Sequence, residues 1–315
     1  MLHSINVSLI AYVLLFASAL FAWNMGSHYS GAVMGMAYGS KTLSIRQATG
    51  IAAIFAVLGT MTASSGVVHT YAFSIVGTAT TVQLAAALLG ASVAIFISTV
   101  LKLPASTIQV YTFSLVFVGI VSHVNIMYTG LVIVLLMWIL IPLVAMLLSY
   151  LLAPKIASRF KGEGRKLKFI IIGSSIFSSF TLGSNDVSNA ISSVVKAGIL
   201  TGIDPYIFGG VFIALGLITW GQRLIRRIGT EIVKTDPPLA ATAQLTQAIA
   251  ILSGNLIGYN ASINQTLITS LYGAKRSTKS EVVTPQIFRS IALNWITSSL
   301  IAAVFSLLFI FIFSL

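Results

Sequence analysis

Asp186 lies in the run Gly183-Ser184-Asn185-Asp186-Val187-Ser188-Asn189-Ala190, inside a long stretch of apolar and hydroxyl-bearing residues. An ionised carboxylate in apolar surroundings costs several kcal/mol unless it is paired, hydrated or bound to a cation. An acid in that setting points to function, with a helix-cap Asp facing a polar interior as the plainer alternative. Asn185 and Asn189 are four residues apart, so on a helix they share a face. With Asp186 and Ser188 they offer oxygens suited to a hard cation or a proton, and a sodium ion at Asn185 and Asp186 is one such reading. Ala22-Trp23-Asn24-Met25-Gly26-Ser27-His28 repeats the pattern with changes. Met25 stands where Asp186 stands, and His28 where Asn189 stands. A histidine there can titrate near physiological pH or remain neutral and hydrogen-bonded.

A second pair of sites offers no charge. Pro104-Ala105-Ser106-Thr107-Ile108-Gln109 and Asn260-Ala261-Ser262-Ile263-Asn264-Gln265 both read as a turn opening a short helix. Pro104 suits a helix start. A helix N-terminus presents unpaired backbone N–H groups and positive dipole potential. Neutral hydroxyls and amides beside it make a site for a tetrahedral oxyanion such as sulfate or phosphate. Ordinary N-capping by Ser and Thr explains either tip alone. Two tips converging at one level favour binding by Ser106, Thr107, Gln109, Ser262, Ile263 and Asn264, with Asn24 and Asn185 beside them.

These residues sit in elements made for lipid. Hydrophobic residues are 57% of the 315 and charged residues 8%, where a soluble domain carries roughly a quarter charged. The apolar runs are continuous and lack strand alternation, which predicts helices and not a barrel. Runs long enough for a bilayer, about 20 residues each, fall at about 5–23, 47–68, 82–101, 126–152, 206–228, 239–258 and 286–314. Shorter Gly- and Ser-rich pieces lie at 24–40, 104–122, 168–200 and 260–273. Asn24 pairs with Asn185, Gly59 with Gly216 and Ser106 with Ser262, at offsets of 161, 157 and 156. Three pairs in order are the mark of an internal repeat. Short interrupted segments in matching places of two halves point to a transporter site at the midplane. The predicted fold is an all-α integral membrane protein of two inverted-topology repeats, with broken helices and re-entrant or short hairpin segments around that site.

Charge sets the topology. The chain has 18 Lys plus Arg against 6 Asp plus Glu, a net charge of +12. All the cations except Lys102 and Lys196 fall in short loops that can share one face, as the positive-inside rule expects. That placement argues against nucleic-acid binding. It predicts a first repeat over 1–153, a basic cytoplasmic linker over 154–168 and a second repeat over 169–315, with both termini outside. The N-terminal run lacks a basic flank and a cleavage site, and reads as a first membrane helix and not a removed signal peptide. Lys196 shares the helical face of Asn185 and Asn189; it either attracts an anion or snorkels to the interface, the reading favoured here. With no cysteine, disulfides and thiolate metal sites are excluded.

The run at 183–190 closely resembles the G-x-N-D-V-x-N-A signature of the PiT inorganic phosphate transporter family. Pro104 to Gln109 resembles that family's P-V-S-T-T-H tip, and Ala37-Tyr38-Gly39-Ser40-Lys41 with Arg46-Gln47-Ala48 its V-G-S-K…R-Q-A segment. The departures are Met25 for the first acid of the paired motif, Gln109 and Gln265 for the tip histidines, Asn260 for the second tip's proline, and Ala56 or Val57 and Gln244 for further acids. The pattern from Ala22 to Ser40 is more similar to the family's sulfate permease branch. The resemblance implies cation-driven symport, with the Asn-Asp residues near the coupling ion and the tips near the anion.

Phosphate at neutral pH keeps a proton it can donate to a carboxylate, whereas sulfate has none and would only be repelled. Fewer acids and more amides therefore suit sulfate. The expected function is a symporter of the plasma membrane that imports an inorganic oxyanion, most of all sulfate, by alternating access coupled to protons or sodium. Asp186 is the expected coupling carboxylate, with His28 its partner and Asn185 and Asn189 beside it. A phosphate symporter is the nearest alternative. A membrane-embedded enzyme lacks a nucleophile–base pair in this sequence, and a passive anion channel would need no titratable centre. No bound cofactor is expected beyond the coupling ion; the partners are the anion and the bilayer, and a homodimer stays open.

Overall fold

The computed structural model describes residues 2–101, 105–160, 164–232, 236–280 and 285–314. Lys102, Pro104, Lys161, Glu163, Lys234 and Glu281 lie outside them, as do the side chains of Glu231 and Arg289. The described residues form twelve helices: α1 Leu2–Gly39, α2 Ile45–Ala63, α3 Ser65–Phe73, α4 Thr81–Val100, α5 Thr107–Val121, α6 Tyr128–Arg159, α7 Arg165–Lys196, α8 Asp204–Thr219, α9 Gly221–Ile232, α10 Pro237–Leu256, α11 Ile263–Ser277 and α12 Pro285–Ser314. Six are long and apolar enough to cross a membrane, and α8 with α9, bent by 54°, makes a seventh.

Local sequence explains many of the ends. Ser44 and Gln47 form a reciprocal cap at the start of α2, and Thr80 and Gln83 do the same for α4. Such a box satisfies two backbone donors that a helix leaves open. Ser106 caps α5 and Ser262 caps α11 through the N–H groups of Gln109 and Gln265.

Two expectations about continuity change. The Gly- and Ser-rich pieces at 24–40 and 168–200 are not separate: α1 is one helix of 38 residues and α7 one of 32. Gly and Ser lower helix propensity by no more than about 1 kcal/mol each, and in lipid every backbone group must still be bonded internally. The runs 47–68 and 206–228 break instead, at Ser64 and at Trp220.

The two repeats are interlocked. α1 packs on α8 and α9, and α7 packs on α2 and α3. α6 crosses to α10 and α11 of the second repeat, while α12 returns to α4 and α5 of the first. α1 and α7 meet at the centre, where the Ser18 hydroxyl donates to the Ala190 carbonyl. Gly59 and Gly216 show why their spacing repeats: a methyl on Gly59 would strike the Phe180 carbonyl of α7, and one on Gly216 the Trp23 carbonyl of α1.

Candidate functional site

In the middle of α7, Asn185, Asp186 and Asn189 are fully buried. Asp186 takes two hydrogen bonds from neutral donors. Thr107 Oγ1 donates to Oδ1 at 2.8 Å, and Asn185 Nδ2 donates to Oδ2 at 2.9 Å. The Thr107 hydroxyl oxygen lies 3.2 Å from the Tyr29 hydroxyl, and the Thr107 N–H donates to that same Tyr29 oxygen at 3.1 Å. Because the Thr107 proton goes to the carboxylate, a relay runs from α1 through the first tip to α7.

The second tip is held by its backbone. Asn185 Oδ1 accepts from the Ala261 N–H at 3.1 Å while its Nδ2 donates to the Ala261 carbonyl at 2.9 Å. One side-chain amide thus grips both backbone polar groups of a single residue. Asn260 adds bonds from Nδ2 to the Asn185 carbonyl (3.3 Å) and to Asn189 Oδ1 (3.0 Å), and its Oδ1 accepts from the Tyr71 hydroxyl at 2.7 Å. Asn189 Nδ2 is left buried and unpartnered.

The first tip is held differently. His28 Nε2 lies 3.2 Å from the Ala105 carbonyl, and Nδ1 lies 2.9 Å from Thr99 Oγ1. A carbonyl only accepts, so Nε2 carries a proton. Asn264 of the second tip donates to the same Ala105 carbonyl at 3.3 Å, so the two tips touch. Asn24, the counterpart of Asn185, turns away: Nδ2 donates to the Ser92 carbonyl at 3.1 Å, and Oδ1 is buried without a partner.

The expected residues other than Asn24 therefore come together, with some adjustments. His28 and Asp186 each bond to the first tip, at Ala105 and Thr107, and not to each other. The Ser106 and Ser262 oxygens accept from helix N–H groups as caps, which leaves each hydroxyl a proton to give. The side chain of Ile263 is buried in the apolar core, so only its backbone is polar. Gln109 is nearly buried at the first tip, and Gln265 Nε2 is a buried donor with no partner. Lys196 does not join this site: its ammonium donates to the Ala72 and Val76 carbonyls. Sequence reasoning missed Tyr29, Tyr71 and Thr99. The available signal was a hydroxyl within an apolar run, since a buried tyrosine hydroxyl usually finds a partner.

Two inverted repeats, with broken helices and polar side chains meeting where they cross, are the build of a secondary transporter. Residues 25–163 and 154–306 each match the Phosphate transporter family, and the chain belongs to that family. It is a multi-pass membrane transporter and not an enzyme. It is 26% identical over 306 residues to the sulfate permease CysP of Bacillus subtilis (strain 168), covering 94% of this chain and 86% of that protein. It is 31% identical over 144 residues to a putative phosphate permease of Chlamydia muridarum (strain MoPn / Nigg), covering 42% and 33%. It is 30% identical over 149 residues to the sodium-dependent phosphate transporter 2 of Xenopus tropicalis, covering 44% and 23%. The chain thus spans a third or less of those two phosphate relatives. A solved structure of the sodium-dependent phosphate transporter superposes with a TM-score of 0.88, over 97% of this chain and 99% of that one, at 18% identity, which speaks for the fold.

Proposed function

We propose that this transporter imports sulfate by proton-coupled alternating access, with Asp186 as the coupling carboxylate. The observation that carries the reading is the position of Asp186. It is the one buried carboxylate among the described residues. It bonds Thr107 of the first tip, and it bonds the Asn185 amide that grips the second. Adding or removing charge there acts on both tips together.

Sulfate is supported by surroundings that are neutral apart from Asp186. Met25 and Gln244 carry no charge, and the polar groups at the tips are hydroxyls, amides and backbone N–H groups. A fully deprotonated oxyanion is bound well by such donors and repelled by carboxylates. The near full-length similarity to a protein named as a sulfate permease points the same way. A proton is supported by the donor set. The Thr107 hydroxyl that donates to Asp186 can turn and accept from the protonated carboxyl, while Asn185 Oδ1 is taken by the Ala261 N–H, so the site is not an oxygen cage for a cation. Sodium is the competing ion, favoured by the names of the phosphate relatives.

In the membrane, residues 1–153 and 169–315 are the two repeats, joined by a basic cytoplasmic linker over 154–168 with both termini outside the cell. In this reading Ser106, Thr107, Gln109, Ser262, Asn264 and the backbone at Ile263 face the anion, beside Asn24 and Asn185. Asn189 and His28 hold the tips.

Reconstituted protein tests the reading. Labelled sulfate should accumulate under an inward proton gradient, unlabelled phosphate should compete poorly, and Asp186→Asn should leave exchange but remove accumulation. Phosphate uptake indifferent to sulfate would overturn the substrate, and accumulation driven by sodium alone would overturn the ion.

A further inference from the structure

The two repeats grip their tips one helical turn out of step. On α7 the second tip is gripped at Asn185, the upstream position of the motif. On α1 the first tip is held at His28, which corresponds to Asn189, four residues downstream. At the other motif position of each repeat one buried side-chain atom has no partner: Asn24 Oδ1, an acceptor, and Nδ2, a donor, of Asn189, whose Oδ1 is taken by Asn260. Unpaired polar atoms in a buried interior are rare and call for an explanation.

We infer that Asn24 is a positioning residue for a second conformation, in which the repeats exchange these grips by a one-turn register shift of both tips. In that state Asn24 takes the backbone of Ala105 as Asn185 now takes that of Ala261: its Oδ1 accepts from the Ala105 N–H and its Nδ2 donates to the Ala105 carbonyl. Asn189 Nδ2 donates to the Ala261 carbonyl, as His28 now does to Ala105. Both orphaned atoms gain the partners they lack. Asn185 is released toward the Ala248 carbonyl, the counterpart of the Ser92 carbonyl that Asn24 holds now.

The direction is self-consistent. Moving the first tip from His28 to Asn24 carries it toward the N-terminus of α1. Moving the second from Asn185 to Asn189 carries it toward the C-terminus of α7. In inverted repeats these are the same direction, so both tips travel together by about 6 Å, four residues at 1.5 Å each. One-turn ratchets of packed elements are an established kind of switching motion. Each state keeps one two-bond asparagine grip and one single-donor hold, the rough balance that a cycling transporter requires. The shift also takes Thr107 off Asp186, which is where the proton coupling proposed above would act; that link alone rests on the previous reading.

The chain has no cysteine, so introduced pairs report register cleanly. Tyr111 of α5, the helix behind the first tip, has its ring 5.8 Å from that of Phe21 on α1. One turn toward the N-terminus of α1 brings Tyr111 beside Ala17. Tyr111→Cys is combined with Phe21→Cys or with Ala17→Cys and treated in membranes with a short bifunctional thiol reagent. Both pairs should link. Asn24→Ala should shift the yield ratio about tenfold toward the Phe21 pair, the weight of one or two lost hydrogen bonds, and His28→Ala should shift it toward the Ala17 pair. Asn24→Ser, a milder change, should act in the same direction as Asn24→Ala. A ratio unmoved by the Asn24 variants, or moved the same way by Asn24 and His28 variants, overturns the exchange. The readout needs neither anion nor gradient, so it stands apart from failure of the transport assay.

Discussion

Asn260 shows how one amide can replace a rigid residue. The resemblance places a proline at this position, which would fix the turn covalently. Here the turn is fixed by three side-chain hydrogen bonds, to the Asn185 carbonyl, to Asn189 and from Tyr71. Asn260→Ala removes all three and strands the Tyr71 hydroxyl and Asn189 Oδ1 in the interior. An orphaned buried group costs about 1–3 kcal/mol, so this variant should unfold in detergent at clearly lower temperature and transport poorly. Tyr71→Phe removes one of those bonds and should cost about 1 kcal/mol. Comparable melting temperatures for the two variants would show that the network is not what holds the tip. That Asn185, Asp186 and Asn189 stand together was legible in the sequence, because polar residues are conspicuous in apolar runs. Which atom meets which was not, since Asn185 bonds residues 76 positions away. The contrast between Met25 and Asp186 was visible, but the different hold of each repeat on its tip was not, because Asn24 and Asn185 are the same residue type.

At the scale of elements, two side chains tie helices together from positions that invited other roles. Lys196, at the end of α7, reaches across to the end of α3 and the following turn, donating to the Ala72 carbonyl at 2.6 Å and the Val76 carbonyl at 3.0 Å. A cation at a helix C-terminus satisfies open carbonyls and complements the dipole. Lys196→Met keeps the stem and loses both bonds. Amide exchange should quicken at residues 72–77 while the substrate KM stays unchanged; a raised KM with unaltered exchange would return Lys196 to anion binding. Gln244, where the resemblance suggests an acid, joins three helices. Its Oε1 accepts from Ser174 and Ser175 of α7, and its Nε2 donates to the Ala32 and Val33 carbonyls of α1. Gln244→Glu turns an acceptor-only carboxylate against two carbonyls and should destabilise by several kcal/mol, far more than the neutral Gln244→Met; the detergent melting temperatures of the two variants rank them. The matching positions of the repeats were legible from their spacing. The continuity of α1 and the breaks after α2 and α8 were misread, because small polar residues look like loops in sequence yet are tolerated in a buried membrane helix.

On the scale of the whole molecule, the exchange of α6 and α12 decides what can fold alone. α6 packs on α10 and α11, and α12 on α4 and α5. Gly273 of α11 lies so close to α6 that an added methyl would strike the Met146 carbonyl, and one on Gly90 of α4 would meet Ser306 of α12. Such close approaches through small residues are what hold membrane helices together, since lipid offers no hydrophobic drive between them. Sequence periodicity finds the helices, but it cannot show this crossing, because nothing local marks which repeat a helix will pack against. A first repeat made alone would leave the α4–α5 surface without α12 and α6 without its partners. Chains of residues 1–160 and 161–315 made together should therefore co-purify and transport, and each made alone should be degraded or aggregate. A first repeat that runs as a monodisperse, helical monomer in detergent would show that the crossing adds little. The interlock has a functional side too. Each tip leads into a helix backed by the last helix of the other repeat, so neither tip can slide along α1 or α7 without moving elements of both repeats. A concerted shift of the two tips follows from the connectivity as well as from the unpaired atoms at Asn24 and Asn189.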